Sequence, residues 1–333
     1  MVTVLTAILV VLCGVLIYKR LVVNVENLPI RLYKITGIPD NNSSRRVDQP
    51  EGYLVFLLRP ATIVVSNDPD FSSSYQVNGY PGLNLIENLI PGRTYYYRTV
   101  SDGKISAAHS FKVSGQIRTL TIDGVYNVRD IGGWKTADGK KIKYGLIYRG
   151  GELDGIHDVH ITADGVRQLR QEDIRTEVDL RNSNEVETAD YPMKDYAEYN
   201  RYEISAYMGI TGKREPYKGA FSKIISSVLK DKPVYVHCWG GADRTGTVIA
   251  ILEGALGVSK KDVIRDYELT SFSYCGQRKY GSGDEGSSFK DLIEYIEKEY
   301  EGATFQDKCS NLLLDIGITE SELDQFRVKM LES

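Results

Sequence analysis

The chain has 333 residues, enough for one large domain or two ordinary ones with a short appendage. Hydrophobic residues make up 42% and charged residues 26% of it, a balance that excludes a disordered chain. A net charge of -4 with no Lys/Arg-rich run excludes the electrostatic footprint of a nucleic-acid partner.

Residues 1–17 are apolar apart from Thr3 and Thr6, and Tyr18, Lys19 and Arg20 follow. Such a run can just span a bilayer, with aromatic and cationic side chains at the interface. It lacks a basic leading region and a small-x-small cleavage site, so residues 1–20 are expected to form a membrane anchor or uncleaved signal. A buried strand or helix is the competing reading. Leu12 before Cys13 makes a poor lipobox. Lys19 and Arg20 bias the following chain toward the cytoplasm, but two charges are a weak bias.

Residues 25–117 read as all-β. Strand-like runs rich in β-branched and aromatic residues cover 53–58, 62–66, 93–100 and 105–113. Turn signals separate them at Asn67-Asp68-Pro69, Asn78-Gly79, Pro91-Gly92 and Asp102-Gly103, and the polar stretch 39–50 reads as a surface loop. Leu89-Ile90-Pro91-Gly92 feeding Tyr95-Tyr96-Tyr97 resembles the late strands of fibronectin type III domains, and Asp68-Pro69-Asp70-Phe71-Ser72 resembles an earlier linker of such modules. That resemblance implies a β-sandwich over 25–117. The region holds no catalytic constellation.

After Gly115 the pattern turns to α/β. Residues 174–180 predict a buried strand, and the spacing of Ala220, Phe221, Ile224, Ile225, Val228 and Leu229 predicts a helix over 217–230. A short strand over 234–236 and a helix over 245–256 follow. Ser259 with Asp262, Ser288 with Asp291, Thr304 with Asp307 and Thr319 with Glu322 have capping-box spacing and predict four further helix starts. Thr162 reads as one more N-cap. The Gly-rich stretch 274–288 reads as a loop.

Four cysteines, Cys13, Cys238, Cys275 and Cys309, are too few and scattered for a disulfide framework or a zinc site, and Cys309 reads as a small core residue. His157 and His160 have near-helical spacing but no third ligand, so no metal site is expected. Cys238 is different. His237-Cys238-Trp239-Gly240-Gly241-Ala242-Asp243-Arg244-Thr245 joins a predicted strand to a predicted helix. In a short loop with two glycines, successive backbone N–H groups converge into an anion-binding nest, and the helix dipole adds positive potential there. That field suits a thiolate nucleophile at Cys238. Arg244 offers a planar fork that matches two phosphate oxygens, and Thr245 can donate to the sulfur. Trp239, Gly240, Gly241, Ala242 and Thr245 therefore read as substrate-binding positions, and His237 as an organiser of the loop.

These residues resemble the cysteine-based protein-tyrosine phosphatases, most of all the bacterial atypical branch that includes tyrosine and phosphoinositide phosphatases. Asn127-Val128-Arg129-Asp130-Ile131-Gly132-Gly133 looks like that branch's entry motif. Tyr148-Arg149-Gly150-Gly151-Glu152-Leu153 corresponds to its Arg-Ser-x-x-Leu segment, with Gly150 at the Ser position. Asp179-Leu180-Arg181 with Glu185 corresponds to its strand end, read here as a structural charge network. The resemblance implies a phosphatase domain over 120–333, with a central parallel sheet and flanking helices after the all-β sandwich. It implies metal-free, cofactor-free hydrolysis of a phosphomonoester through a phosphocysteine. Ala242 stands where many members carry Lys, which moves the expected substrate from a phosphoinositide or inositol phosphate toward protein phosphotyrosine. No Trp-Pro-Asp loop is present, so Asp243 is the first candidate for general acid and Asp130 the second. Asp130 competes with an ion pair to Arg129 or Arg149. A silent phospho-ligand module and a rhodanese-type sulfur transferase are the other readings. Partners are a phosphorylated protein or small phosphomonoester and, through residues 1–20, the membrane. An extracytoplasmic face is favoured by association alone.

Overall fold

A computed structural model describes residues 52–154, 160–186, 191–273, 275–284 and 286–332. The expected anchor over 1–20, the loop over 39–50 and His157 lie outside the described residues. Among the described residues no helix is long and apolar enough to cross a membrane. These residues divide into two compact units, the first ending at Thr121 and the second beginning at Ile122.

In the first unit every regular element is a strand: β1 (Tyr53–Leu57), β2 (Ala61–Ser66), β3 (Tyr75–Gly79), β4 (Gly82–Ile86), β5 (Thr94–Ser101), β6 (Lys104–Ile105), β7 (His109–Lys112) and β8 (Arg118–Thr119). β1 pairs antiparallel with β4, and a second sheet runs β3-β2-β5-β6 with β7 also on β5. Period-2 alternation buries Val55 and Leu57 of β1 with Ile63, Val65, Ile86, Tyr95 and Phe111 in one core. The Tyr95 hydroxyl accepts from Ile90 N at 2.9 Å and so braces the Pro91-Gly92 turn. Two expectations fail. The run 105–113 is broken between β6 and β7, and Asn78-Gly79 ends a strand instead of forming a turn. Gly79 is there for space, because a Cβ would overlap Leu57 Cδ1 and come 2.8 Å from the Ala61 carbonyl oxygen.

The second unit is mixed α/β. Its elements are β9 (Arg129–Asp130), β10 (Ile147–Gly150), α1 (Ala163–Gln171), β11 (Thr176–Asp179), β12 (Glu198–Arg201), α2 (Arg214–Leu229), β13 (Val234–His237), α3 (Asp243–Ala255), α4 (Lys260–Glu268), α5 (Phe289–Glu299), α6 (Phe305–Ile316) and α7 (Glu320–Met330). The strand order is β12-β11-β13-β10-β9. β11 pairs parallel with β12 and β13, β10 pairs parallel with β13, and β9 joins β10 antiparallel. The strands β10, β11 and β13 are buried along their whole length, as parallel strands covered on both faces must be. α3 is buried from Thr245 to Ala255 and packs against α6, where Gly254 leaves room for the Cys309 sulfur. Burial pushes the Cys309 thiol up, as befits a core residue. Thr162, Ser259, Ser288, Thr304 and Thr319 all cap helices through their side chains, as their spacing predicts. β12 has no sequence expectation behind it, because Glu198-Tyr199-Asn200-Arg201 lacks an apolar run.

Candidate active site

Parallel register puts the ends of β10, β11 and β13 side by side, with Gly150 and Asp179 both opposite His237. The chain leaves β13 at Cys238, which is 3% exposed, and enters α3 at Asp243. The loop between them is held from behind by its carbonyl groups. Trp239 O accepts from Glu152 N at 2.8 Å. Gly240 O accepts from Asn127 Nδ2 at 3.0 Å and from the Cys275 thiol at 3.1 Å. Gly241 O accepts from Arg149 Nη2 at 2.8 Å. In a planar trans peptide the N–H points opposite to the C=O, so the amides of Gly240, Gly241 and Ala242 face the other side, the inside of the loop. That is the geometry of an anion nest. Gly241 has φ +64°, and a Cβ on it would overlap the Gly150 carbonyl oxygen. No other residue type fits there without moving β10.

Arg244 lies over this loop with its fork on Glu185. Nη1 donates to Oε2 at 2.6 Å and Nη2 to Oε1 at 2.8 Å. The Arg244 bond holds the Glu185 carboxyl down to about 2, so this pair is charged at any physiological pH. The Glu185 carboxylate thus faces Arg244, while its backbone oxygen accepts from Arg181 Nη1 at 3.1 Å, within the network expected there. Arg181 binds the buried Asp179 Oδ2 at 2.7 Å and Glu152 Oε2 at 2.9 Å, and the half-buried Asp154 Oδ1 at 2.5 Å. His237 is buried, with Nε2 3.0 Å from Glu177 Oε1 and Nδ1 3.3 Å from Cys238 O. Burial opposes its charge, but Asp179 and Glu177 together raise its pKa. It fixes the loop, as the sequence suggests.

A model described as the tyrosine phosphatase family matches residues 120–332. The chain belongs to the tyrosine phosphatase family. A Cupriavidus necator protein assigned to the tyrosine-protein phosphatases is 23% identical over 175 residues, covering 44% of this chain and 61% of that one. A Nostoc commune tyrosine-protein phosphatase is 26% identical over 148 residues, covering 38% of this chain and 48% of that one. The chain thus spans about half to three-fifths of these relatives' lengths. The crystal structure of Pseudomonas aeruginosa TpbA has 16% identity and a TM-score of 0.34, covering 56% of this chain and 97% of that one.

Within this family member, the entry motif proves to be scaffolding. Arg129 Nη1 donates to Asn127 Oδ1 at 2.6 Å and so aims Asn127 at the loop. Asp130 is buried, and its carboxylate accepts from Gly132 N at 2.8 Å and Gly145 N at 2.7 Å. Both oxygens are engaged by backbone, so the carboxylate braces the turns at Gly132 and Gly145. Arg129 and Arg149, its candidate ion-pair partners, both bind Asp266. Asp266 has no sequence signal, lying 137 positions from one partner and 117 from the other.

Beside this cluster, Glu253 of α3 is fully buried, and neither carboxyl oxygen has a hydrogen-bond partner among the described residues. Burial, reinforced by Asp266, pushes its pKa well above the ordinary value. An acid whose pKa rises on folding loses stability as pH climbs above its unfolded value toward its folded one. Glu253→Gln is therefore expected to flatten the fall in stability above about pH 4.5, read from urea midpoints across pH. An unchanged pH slope would show that Glu253 is not neutral in the fold.

Gly150 stands at the family's Ser position because a Cβ there would overlap the Tyr235 hydroxyl, which donates to Gly151 O at 2.7 Å. Gly150→Ser is expected to cost about 1–3 kcal/mol by overpacking, measured as a lower unfolding midpoint. No change in midpoint would mean Tyr235 has room to move. The Thr245 hydroxyl is buried with no hydrogen-bond partner among the described residues, so the expected bond to the Cys238 sulfur is not formed. Trp239 is 48% exposed at the lip of the loop, and Ala242 is buried at the start of α3.

Asp243, at the start of α3, accepts three side-chain hydrogen bonds. Its Oδ1 accepts from the Tyr207 hydroxyl and from Arg278 Nε at 2.7 Å, and its Oδ2 from Arg278 Nη2 at 3.0 Å. Burial would raise its pKa, but the Arg278 and Tyr207 bonds bring it below the ordinary value. Tyr207 opens the 3-10 turn Tyr207–Thr211 with φ +52°. That left-handed backbone costs a bulky residue of order 1–3 kcal/mol. Tyr207 N donates to Thr247 Oγ1 at 2.8 Å, and Thr247 Oγ1 donates to Asp243 O at 2.9 Å, so the turn is tied to the first turn of α3. Neither Tyr207 nor Arg278 is marked in the sequence. A tyrosine among 23 and an arginine in a Gly-rich loop give no spacing to read.

Proposed function

We propose that the second unit hydrolyses phosphomonoesters, protein phosphotyrosine above all, through a phosphocysteine intermediate on Cys238. The observation that supports this most is the loop from Cys238 to Arg244, whose carbonyls are all pinned outward. Its amides and the Arg244 N–H groups not held by Glu185 remain for three phosphate oxygens. In the first step the Cys238 thiolate attacks phosphorus, and the ester oxygen leaves with the bonding pair. In the second, water attacks phosphorus and the S–P pair returns to Cys238. Arg244 and the amides of Gly240, Gly241 and Ala242 stabilise the equatorial oxygens in both transition states. Glu185 keeps the Arg244 fork flat and pre-aimed, so little order is lost on binding. Trp239 offers an exposed ring beside the pocket for an aromatic ester, and Thr245 a hydroxyl for the leaving sulfur.

In this reading residues 25–117 form a fibronectin type III-like module that positions the enzyme. Residues 1–20 anchor it to a membrane, with the catalytic unit on the extracytoplasmic face. The buried Ala242 supplies no cation for a lipid headgroup, which supports a protein substrate. A side-by-side panel of phosphotyrosine peptide, phosphoserine peptide, phosphoinositide and inositol polyphosphate tests the assignment. Phosphotyrosine is expected to turn over at least tenfold faster than the rest. Preference for the phosphoinositide would move the function to lipid, and no turnover of any would leave a phosphate-binding module.

A further inference from the structure

The sheet face that carries Asp179 and His237 continues to the edge strand. Alternation puts Glu177 of β11 with Tyr199 and Arg201 of β12 on that face, Glu177 opposite Tyr199 and Arg201 two positions further along. Together with Val186, Tyr191 and Pro192 they line a cavity of about 170 Å³. An apolar cavity of about 150 Å³ holds a benzene molecule, so this one takes a molecule little larger than a single ring. Its polar atoms are nearly all engaged. Arg181 directs every N–H to Asp179, Glu152, Asp154 or the Glu185 backbone oxygen. The Tyr199 hydroxyl donates to Asp179 Oδ2 at 2.8 Å, and its ring stacks on Tyr191 with centroids 4.9 Å apart. Two atoms are left over. Glu177 is 2% exposed, and its Oε2 has no hydrogen-bond partner among the described residues, while Oε1 faces His237. Arg201 Nη1 is buried and has none among them either, and a second nitrogen, Nη2, lies 3.4 Å from Glu203 Oε1. A carboxyl oxygen and a guanidinium N–H left unmatched at two ends of one cavity mark where a ligand's donor and acceptor belong.

We propose that this cavity binds a free α-amino acid with an apolar side chain, its ammonium on Glu177 and its carboxylate on Arg201. The charges decide the class. Three carboxylates, Asp179, Glu152 and Asp154, meet the single cation of Arg181, so the inner end of the cavity has an excess of negative charge to which Glu177 adds. Arg201, with a side chain 27% exposed, brings positive charge to the outer end. A ligand that is only a cation would be repelled by Arg201, and one that is only an anion by Glu177 and the carboxylates around Arg181. A zwitterion suits both ends. Burial pushes the Glu177 carboxyl above its ordinary pKa, although His237 pulls the other way. An ammonium beside it favours the charged form and makes a charge-assisted hydrogen bond. Val186, Pro192 and the Tyr191 ring bound the remaining space, which suits an aliphatic or aromatic side chain and not a charged one. Glu177 also holds His237, whose other ring nitrogen lies 3.3 Å from Cys238 O. The amino acid therefore sits within two hydrogen bonds of the phosphate loop.

Calorimetric titration of the full chain with L-phenylalanine and L-leucine tests this without reference to turnover. Each amino acid is run beside its analogue without the ammonium (phenylpropionate, isocaproate) and its analogue without the carboxylate (phenethylamine, isoamylamine). At least one amino acid is expected to bind at a single site, and both of its analogues at least about tenfold more weakly, each having lost one charge-assisted contact. The variants should divide the two ends. Arg201→Met is expected to weaken the amino acid about tenfold while leaving the amine analogue as tight as before or tighter. Glu177→Gln should weaken the amino acid and the amine analogue but not the carboxylate analogue. Arg201 stands at the outer end of the cavity, so its variant keeps the test intact even where Glu177→Gln disturbs His237. An analogue that binds as tightly as its parent amino acid would overturn the proposal, since only one charged contact would then be made. Binding of the amino acid that neither variant weakens would overturn it too, by placing the amino acid elsewhere. So would the absence of binding by both amino acids at about 10 mM.

Discussion

Cys238→Ser is expected to reduce turnover of an aryl phosphate by at least about 10⁴-fold, since a serine hydroxyl without an adjacent base is a very weak nucleophile. Phosphate affinity should survive the change. The pocket is built by the Arg244 fork and by amides whose orientation depends on Glu152, Asn127, Cys275 and Arg149, none of which touches the Cys238 side chain in the hydrogen-bond pattern. The replacement is close to isosteric at a position only 3% exposed, so the loop has no reason to move. Calorimetric titration with phosphotyrosine, alongside a turnover assay, reads both halves. Residual turnover above one part in a hundred would remove Cys238 from the nucleophile role. Loss of binding together with turnover would mean the sulfur, not the cradle, holds the phosphate.

The part of this site that could be read from the sequence is the part encoded locally. Strand, glycine loop and helix start follow one another within a dozen residues, so Cys238, Gly241 and Arg244 are visible as one unit. Capping boxes are local in the same sense: three of the four predicted ones form, and at the fourth Ser259 caps its helix without the reciprocal bond. What stayed hidden depends on contacts between distant positions. Glu185 and Arg181 sit four residues apart at one strand end, and sequence alone groups them by proximity. The fold divides their charges, because Glu152 and Asp154 follow β10 to satisfy Arg181, which keeps only the Glu185 backbone oxygen and leaves its carboxylate for Arg244. Asp130 and Asp243 were attractive as acids because both lie in motifs. Motif membership does not reveal that backbone amides hold one and Arg278 the other. In the first unit, Asn78-Gly79 carries the composition of a turn, but the space Gly79 leaves for Leu57 is a tertiary fact.

Asp266→Asn is expected to have the largest effect on stability. Asp266 is 1% exposed and receives Arg129 Nε at 3.0 Å and Arg129 Nη2 at 3.3 Å, together with Arg149 Nη1. Both guanidiniums are as buried as their partner. Removing one charge from such a cluster leaves two cations facing each other without compensation, a loss of about 3–5 kcal/mol. For a unit of this size that corresponds to a fall of roughly 6–20 °C in the unfolding midpoint. Burial works against the ionised Asp266, but the two arginines hold its pKa below the ordinary value. An acid depressed on folding contributes stability above its unfolded pKa and loses it as pH falls through the folded one, so the parent enzyme should unfold in acid. The variant should lack that acid limb. The consequence reaches the phosphate loop, because Arg149 also holds Gly241 O and Arg129 steers Asn127 onto Gly240 O. Loosening either arginine frees a carbonyl to turn inward, where it would repel a phosphate oxygen. Phosphotyrosine affinity measured well below the lowered midpoint should therefore fall as well, by tenfold or more. A variant that melts more than 6 °C early yet binds phosphotyrosine as tightly as the parent would show that the cluster supports the fold and not the loop.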